Sequence, residues 1–128
     1  MLLVNARIGV SSIHGFGLIA REFIPKGTCI WQFQPGFDLM IGEDEMMKLS
    51  AVAQSQIRHY AFFDAPRRVY VLSGDDDRFT NHSDSPNTQE QGGYESYAIN
   101  DIQAGEEITW NYSGWKKLDW LPTENNNY

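Results

Sequence analysis

The chain has 128 residues, a single cysteine, and a net charge of −7 from ten basic and seventeen acidic side chains. That length fits one domain able to bury roughly two-thirds of its unfolded surface. The charge excludes sequence-independent binding to phosphate backbones and favours a basic partner, while the lone Cys29 excludes an intrachain disulfide and a cysteine-clustered zinc site.

The chain opens on two short apolar runs, Leu2-Leu3-Val4 and Ile8-Gly9-Val10, each predicted to be a strand; Gly17-Leu18-Ile19-Ala20 is a third. No apolar run approaches the ~18 residues of a membrane span, and the first residues lack a basic region followed by a long apolar core. A soluble, intracellular protein without signal peptide or membrane contact is therefore expected. After the turn Ile24-Pro25-Lys26-Gly27, residues 28–33 have the β-branched and aromatic content of a strand and stop at Pro35-Gly36. Cys29 lies inside that run and reads as a small core hydrophobe.

One helix is predicted over residues 42 to 60. Glu43, Asp44 and Glu45 occupy its first turn, Met46, Leu49, Ala53, Ile57 and Tyr60 recur at three- and four-residue steps, and Arg58 and His59 close it. Residues 69–73, 94–100 and 107–110 are the remaining strands, and Glu124-Asn125-Asn126-Asn127 has the composition of a disordered tail. Seven or eight short strands and one main helix give a mostly β, β-rich α+β fold of small sheets.

Three polar or glycine-rich islands interrupt these runs: His14-Gly15-Phe16-Gly17, the stretch at 78–87, and Gly105-Glu106-Glu107 leading to Tyr112. Each alone is ordinary turn composition. A metal site from Asp75, Asp76, Asp77, His82 and Asp84 fits neither a calcium loop nor a helical histidine pair, because consecutive aspartates point in different directions. His82-Ser83-Asp84 is no catalytic triad either, since triad members converge in space rather than adjoin in sequence.

Taken in order, His14-Gly15-Phe16-Gly17, Arg78-Phe79-Thr80-Asn81-His82-Ser83 with Pro86-Asn87, and Gly105-Glu106-Glu107-Ile108-Thr109-Trp110-Asn111-Tyr112 resemble the SET domain of protein lysine methyltransferases. The likeness runs from about residue 8 to 112 and is greatest to the compact viral and bacterial members. It implies several small curved β-sheets and a C-terminal knot-like crossing that brings Asn81 and His82 beside Tyr112. The SET domain would span residues 1–112, with 113–128 an aromatic tail of the same domain.

The resemblance also implies S-adenosylmethionine as methyl donor, S-adenosylhomocysteine as product, and no metal. Cofactor contacts fall on His14, Gly15, Phe16, Gly17, Tyr60, Asn81 and His82. Of these, Asn81 would meet the amino-acid end, the His82 backbone the adenine edge, and Tyr60 the cofactor from the end of the helix. Tyr112 is the catalytic position, and Trp110, Tyr112 and Trp115 would line the substrate channel. The partner would be a basic protein or peptide, histone-like or other, presenting a lysine, with no nucleic acid; homodimerisation stays open. A SET-fold module that binds cofactor or peptide without turnover is the alternative.

The chain departs from the family pattern at three points. Asp84 stands where many relatives have Cys, and no cysteine-rich segment follows Tyr112. Trp110 replaces the Phe or Tyr associated with the number of methyl groups added, so that number is not predicted. Trp115 and Trp120 could equally cover the site or dock the tail. In chemical terms the nucleophile is the difficulty: freeing a lysine amine of pKa ~10.4 from its proton near neutral pH costs about 4 kcal/mol. A dry aromatic channel and a nearby sulfonium lower that cost, and carboxylates raise it, so the acidic surplus is expected at the channel entrance rather than its floor.

Overall fold

Short β-branched and aromatic runs closed by Gly and Pro turns become short strands, and tertiary pairing adds several that the residues alone do not announce. The computed structural model describes residues 1–92 and 94–114. In chain order these form β1 (Ala6–Val10), β2 (Phe16–Ala20), β3 (Cys29–Gln32), β4 (Leu39–Gly42), α1 (Glu43–Met47), α2 (Ala51–Tyr60), β5 (Phe62–Asp64) and β6 (Val69–Leu72). A 3-10 turn (Asp76–Phe79), β7 (Asn81–His82), β8 (Thr88–Glu90), β9 (Glu95–Ala98), β10 (Glu107–Trp110) and a second 3-10 turn (Tyr112–Gly114) complete them.

The strands make three small sheets, ordered β1-β2-β10-β7, β3-β9-β8 and β4-β6-β5. This is the mostly β arrangement expected. In the first sheet β2 lies between two neighbours, and its run Leu18, Ile19 and Ala20 is buried without alternation, as a strand covered on both faces should be. Leu18 and Ala20 join Ile24, Ile30, Ala98, Ile102 and Ile108 in the main core. A second cluster gathers Trp31, Val71 and Tyr94, with Phe33 and Phe62 against it. The parallel pairing of β10 with β7 sets Thr109 beside Asn81 and Trp110 beside His82, which delivers Tyr112 to the polar stretch as expected.

Two expectations about local structure change. Leu2-Leu3-Val4 is a single bridge from Leu2 to Trp31, because the Leu2 amide donates instead to the Asp75 carboxylate at 2.8 Å. The helix over 42–60 divides in two: Gly42 closes strand β4, and α2 restarts at Ser50, whose Oγ accepts from the Ala53 amide at 3.2 Å. The break turns the face, so Met46 is buried while Leu49 is 39% exposed.

Two buried aspartates tie the pieces together. Asp38 accepts from the amides of Gln34 and Gly74, both at 2.8 Å, and Gly74 is a necessity there because a Cβ would fall 2.3 Å from the Phe37 carbonyl oxygen. Asp64 accepts from the Tyr94 hydroxyl and from Arg67 Nη1 at 2.9 Å. Burial alone would raise its pKa, but the hydrogen bonds from Tyr94 and Arg67 outweigh that and hold it below the ordinary carboxylate value. The network secures Tyr94 in a left-handed conformation (φ 66°) that is costly for a residue with a side chain. Among the described residues, no helix is long and apolar enough to cross a membrane.

Candidate functional site

The glycine-rich turn is built by its own polar atoms. Ser11 Oγ accepts from the amides of Ile13 and His14, and the Ser11 amide donates to the Gly15 carbonyl, a closure that Gly15 permits with φ +50°. Asn81, arriving from β7, clamps the turn from below. Its Nδ2 donates to the carbonyls of His14 (3.1 Å) and Phe16 (2.9 Å) and to Glu107 Oε2 (3.3 Å). None of these bonds uses Oδ1. Gly17 belongs to the same crowding, since a Cβ would lie 2.7 Å from the Glu107 carboxyl and 3.1 Å from Asn81 Nδ2 and would push these side chains aside.

Above the clamp lies a cleft of about 230 Å³. Six predicted residues line it together: His14, Gly15, Phe16, Tyr60, Asn81 and Tyr112. Gly17 and His82, also predicted to contact the cofactor, do not line it. Four lining residues were not anticipated as site residues: His59, Arg78, Phe79 and Thr80. Three of them belong to the 78–87 stretch, where their proximity to Asn81 was the available signal.

A second, inner cavity of about 60 Å³ shares Tyr60, Arg78 and Thr80 with the first. Its aromatic lining comes from Trp31, Tyr60, Phe62, Tyr94 and Trp110. An outer groove of about 440 Å³ shares Thr88, Glu90 and Trp110 with this cavity, so Trp110 stands between the surface and the interior. Its ring lies 4.8 Å from that of Tyr112 and 5.8 Å from that of Phe62. Trp115 and Trp120 lie outside the described residues.

Tyr112 is 8% exposed, and its hydroxyl donates to the carbonyl of Thr80, on the wall shared by the two cavities. Burial, followed by the charges of Asp77 and Glu107, raises the phenol above its ordinary pKa. The hydroxyl is therefore protonated at neutral pH and cannot act as a general base. Its backbone amide donates to His82 Nδ1 at 3.0 Å, while His82 Nε2 lies 2.9 Å from Asp84 Oδ1.

The acidic residues are not confined to the surface. Glu90 borders both the outer groove and the inner cavity, and Asp77 and Glu95 line the inner cavity too, whereas carboxylates were expected only at the entrance. For Asp77 the reason is local: Asp75 caps the 3-10 turn through Oδ1 and anchors the Leu2 amide through Oδ2, which rotates Asp77 inward to accept from Ser73 Oγ at 2.7 Å. Burial pushes the Asp77 carboxyl up to about 6 against the Ser73 hydrogen bond, with the Asp75 charge adding to the rise. Arg78 donates through Nε and Nη2 to the Ser73 carbonyl and sits 5.8 Å over the Tyr60 ring. Among the described residues it forms no direct ion pair, so its guanidinium charge lines both cavities, with the Asp77 carboxyl in the inner one. No group of three or more His, Cys, Asp or Glu among those residues could hold a metal ion.

Residues 15–113 match the family described as SET domain. Proteins named as histone-lysine N-methyltransferases specific for H3 lysine-36, from Mycosarcoma maydis and Cryptococcus neoformans, are 32% and 28% identical over 120 residues. Those alignments cover 86% and 85% of this chain but 12% and 14% of the relatives' own lengths. In fold, the chain is similar to Polycomb Repressive Complex 2 of Chaetomium thermophilum in an autoinhibited conformation bound to S-adenosylmethionine. The TM-score is 0.66 at 24% identity, covering 86% of this chain and 15% of that one.

Proposed function

Since the chain belongs to the SET-domain family, we propose that it is a protein-lysine N-methyltransferase that moves the methyl group of S-adenosylmethionine to a lysine side chain of a basic protein. The observation that carries this reading is the Tyr112 hydroxyl bound to Thr80, where an open cleft and an aromatic inner cavity share a wall. A cleft lined by Tyr112 that shares Thr80 with a second, aromatic cavity suits a reaction whose two substrates meet only at the transferred group.

The cleft fits the cofactor's amino-acid end. Asn81 Oδ1 is the acceptor for its ammonium, the Arg78 guanidinium the partner for its carboxylate, and the backbone at 14–16 closes over it. When bound, S-adenosylmethionine supplies an electrophilic methyl group on a sulfonium. The chain's own part is alignment and drying, since direct displacement needs little bond chemistry from the protein. Tyr112 keeps its proton on Thr80, which leaves its oxygen lone pairs to orient the polarised methyl group. Trp31, Phe62, Tyr94 and Trp110 give the inner cavity an aromatic lining that favours the neutral amine, against the pull of the Asp77 carboxyl toward the ammonium. The net charge of −7 raises the local concentration of a basic substrate.

The test is to incubate the protein with methyl-labelled S-adenosylmethionine and a panel of basic peptides and small amines, beside Tyr112→Phe. Label in peptides that collapses in the variant is the expected result. Cofactor binding with no label in any peptide would replace the enzyme by a binding module of the same fold.

A further inference from the structure

We propose that Asp84 is a positioning residue for Tyr112, acting through His82 by fixing which ring nitrogen carries the proton; only the catalytic consequence rests on the methyl-transfer reading. The geometry leaves the imidazole one good protonation pattern. A peptide N–H can only donate, so Nδ1, 3.0 Å from the Tyr112 amide, must be the bare acceptor. The ring proton is then on Nε2, and there the Asp84 carboxylate, which can only accept, stands at 2.9 Å. The opposite tautomer would set one N–H against another at Tyr112 and a lone pair against the carboxylate, losing both bonds together.

The ring takes over from the strand ladder. Pairing of β10 with β7 ends at Trp110 opposite His82, with the Ser83 amide on the Trp110 carbonyl at 3.0 Å. Two residues later the Tyr112 amide meets the His82 side chain instead of a backbone acceptor, and the two rings pack with centroids 5.2 Å apart. Asp84 is not needed to make the turn, because Ser85 donates its amide to Ser83 Oγ and Asn87 is fastened separately to Thr109 and Glu107. Its side chain is 97% exposed and free to face solvent, yet it is directed back to the ring. An acceptor so exposed biases the ring and does not lock it, so the effect should be several-fold.

The experiment follows the imidazole nitrogens of the whole protein by 15N NMR, with the His82 signals identified by their loss in His82→Gln, and hydrogen exchange at the Tyr112 amide. Wild type should show an unprotonated Nδ1 and a protonated Nε2. Asp84→Asn should keep that pattern because an amide oxygen still accepts. Asp84→Ala should move the two nitrogen signals part of the way toward each other, because the Tyr112 amide alone still favours a bare Nδ1, and speed Tyr112 exchange by about fivefold, the worth of one modest hydrogen bond. If the protein methylates, kcat should fall by a similar factor in Asp84→Ala while the cofactor KM stays unchanged. An Asp84→Ala protein with wild-type nitrogen signals, wild-type Tyr112 exchange or wild-type kcat overturns the proposal, as does an Asp84→Asn protein that behaves like Asp84→Ala. A wild-type protein with no methyl transfer overturns the enzymatic reading, and the two spectroscopic readouts still decide the role of Asp84.

Discussion

The Tyr112 hydroxyl donates to the Thr80 carbonyl at 2.5 Å, and Thr80 in turn donates its own hydroxyl to the Asp77 carbonyl at 2.7 Å. Tyr112→Phe removes the first link and nothing of the ring packing. Labelled methyl transfer should fall by about a hundredfold or more, as expected when a group that orients charge development in a dry site is lost. The fold should survive at a cost of about 1–3 kcal/mol in urea unfolding, since a buried carbonyl loses its donor. A variant equally active with wild type would remove Tyr112 from the reaction.

Asp77 predicts a stability signature with a definite sign. Its pKa rises from 3.8 to about 6 in the folded protein, so over that interval the native state binds more protons than the unfolded chain. Stability from this group is complete below the unfolded value and is lost as pH rises through the folded one. Asp77→Asn keeps an acceptor for Ser73 and removes the titration. The variant should equal wild type near about pH 4 and exceed it near about pH 7, by on the order of 2 kcal/mol for a partly solvated group. Urea unfolding at the two pH values checks this, and an advantage independent of pH would refute it.

The limits of what the residues announce follow from where stability comes from. β2, β3 and β6 are readable because Leu18-Ile19, Ile30-Trp31 and Val69-Tyr70-Val71 carry strand preference in themselves. β7 has two residues and β8 is Thr88-Gln89-Glu90; neither has an apolar pattern, and each exists only because a distant strand supplies its hydrogen bonds. β4 was not anticipated, and its last residue, Gly42, was taken as the start of the helix because acidic Glu43-Asp44-Glu45 imitates a first helical turn.

At the site, Asn81, Tyr60 and Tyr112 were legible through the resemblance, whose motifs lie close in space although far apart in the chain. Arg78 and Asp77 were not. Whether an arginine is paired, or an aspartate faces inward, depends on how Asp75 caps a turn and where Leu2 lands, and no local spacing encodes that.

The close approach at Gly17 gives a sharper contrast than glycine content alone. Gly17→Ala places a methyl group 2.7 Å from the Glu107 carboxyl, and overpacking of this kind costs about 1–3 kcal/mol. Because the displaced partners include Asn81, calorimetric titration with S-adenosylhomocysteine should show weakened binding. Gly15→Ala meets no neighbouring atom and carries only the cost of φ +50°, about 1 kcal/mol, so its affinity should fall less. The reverse order would show that the turn, and not its clamp to Asn81, governs the cleft.

Arg78 tests the electrostatics of the cleft directly. The guanidinium spends two donors on the Ser73 carbonyl and packs over Tyr60, which leaves a fixed positive charge facing both cavities. Arg78→Met keeps most of the stem and removes the charge. S-adenosylhomocysteine should then bind about tenfold more weakly, the scale of one charged hydrogen bond. A decarboxylated analogue of the same ligand should bind wild type and variant alike. Arg78→Lys should fall between, because an ammonium restores the charge without the planar fork that holds Ser73. If both ligands weaken equally in Arg78→Met, the arginine supports the cleft wall through packing, and the carboxylate is bound elsewhere.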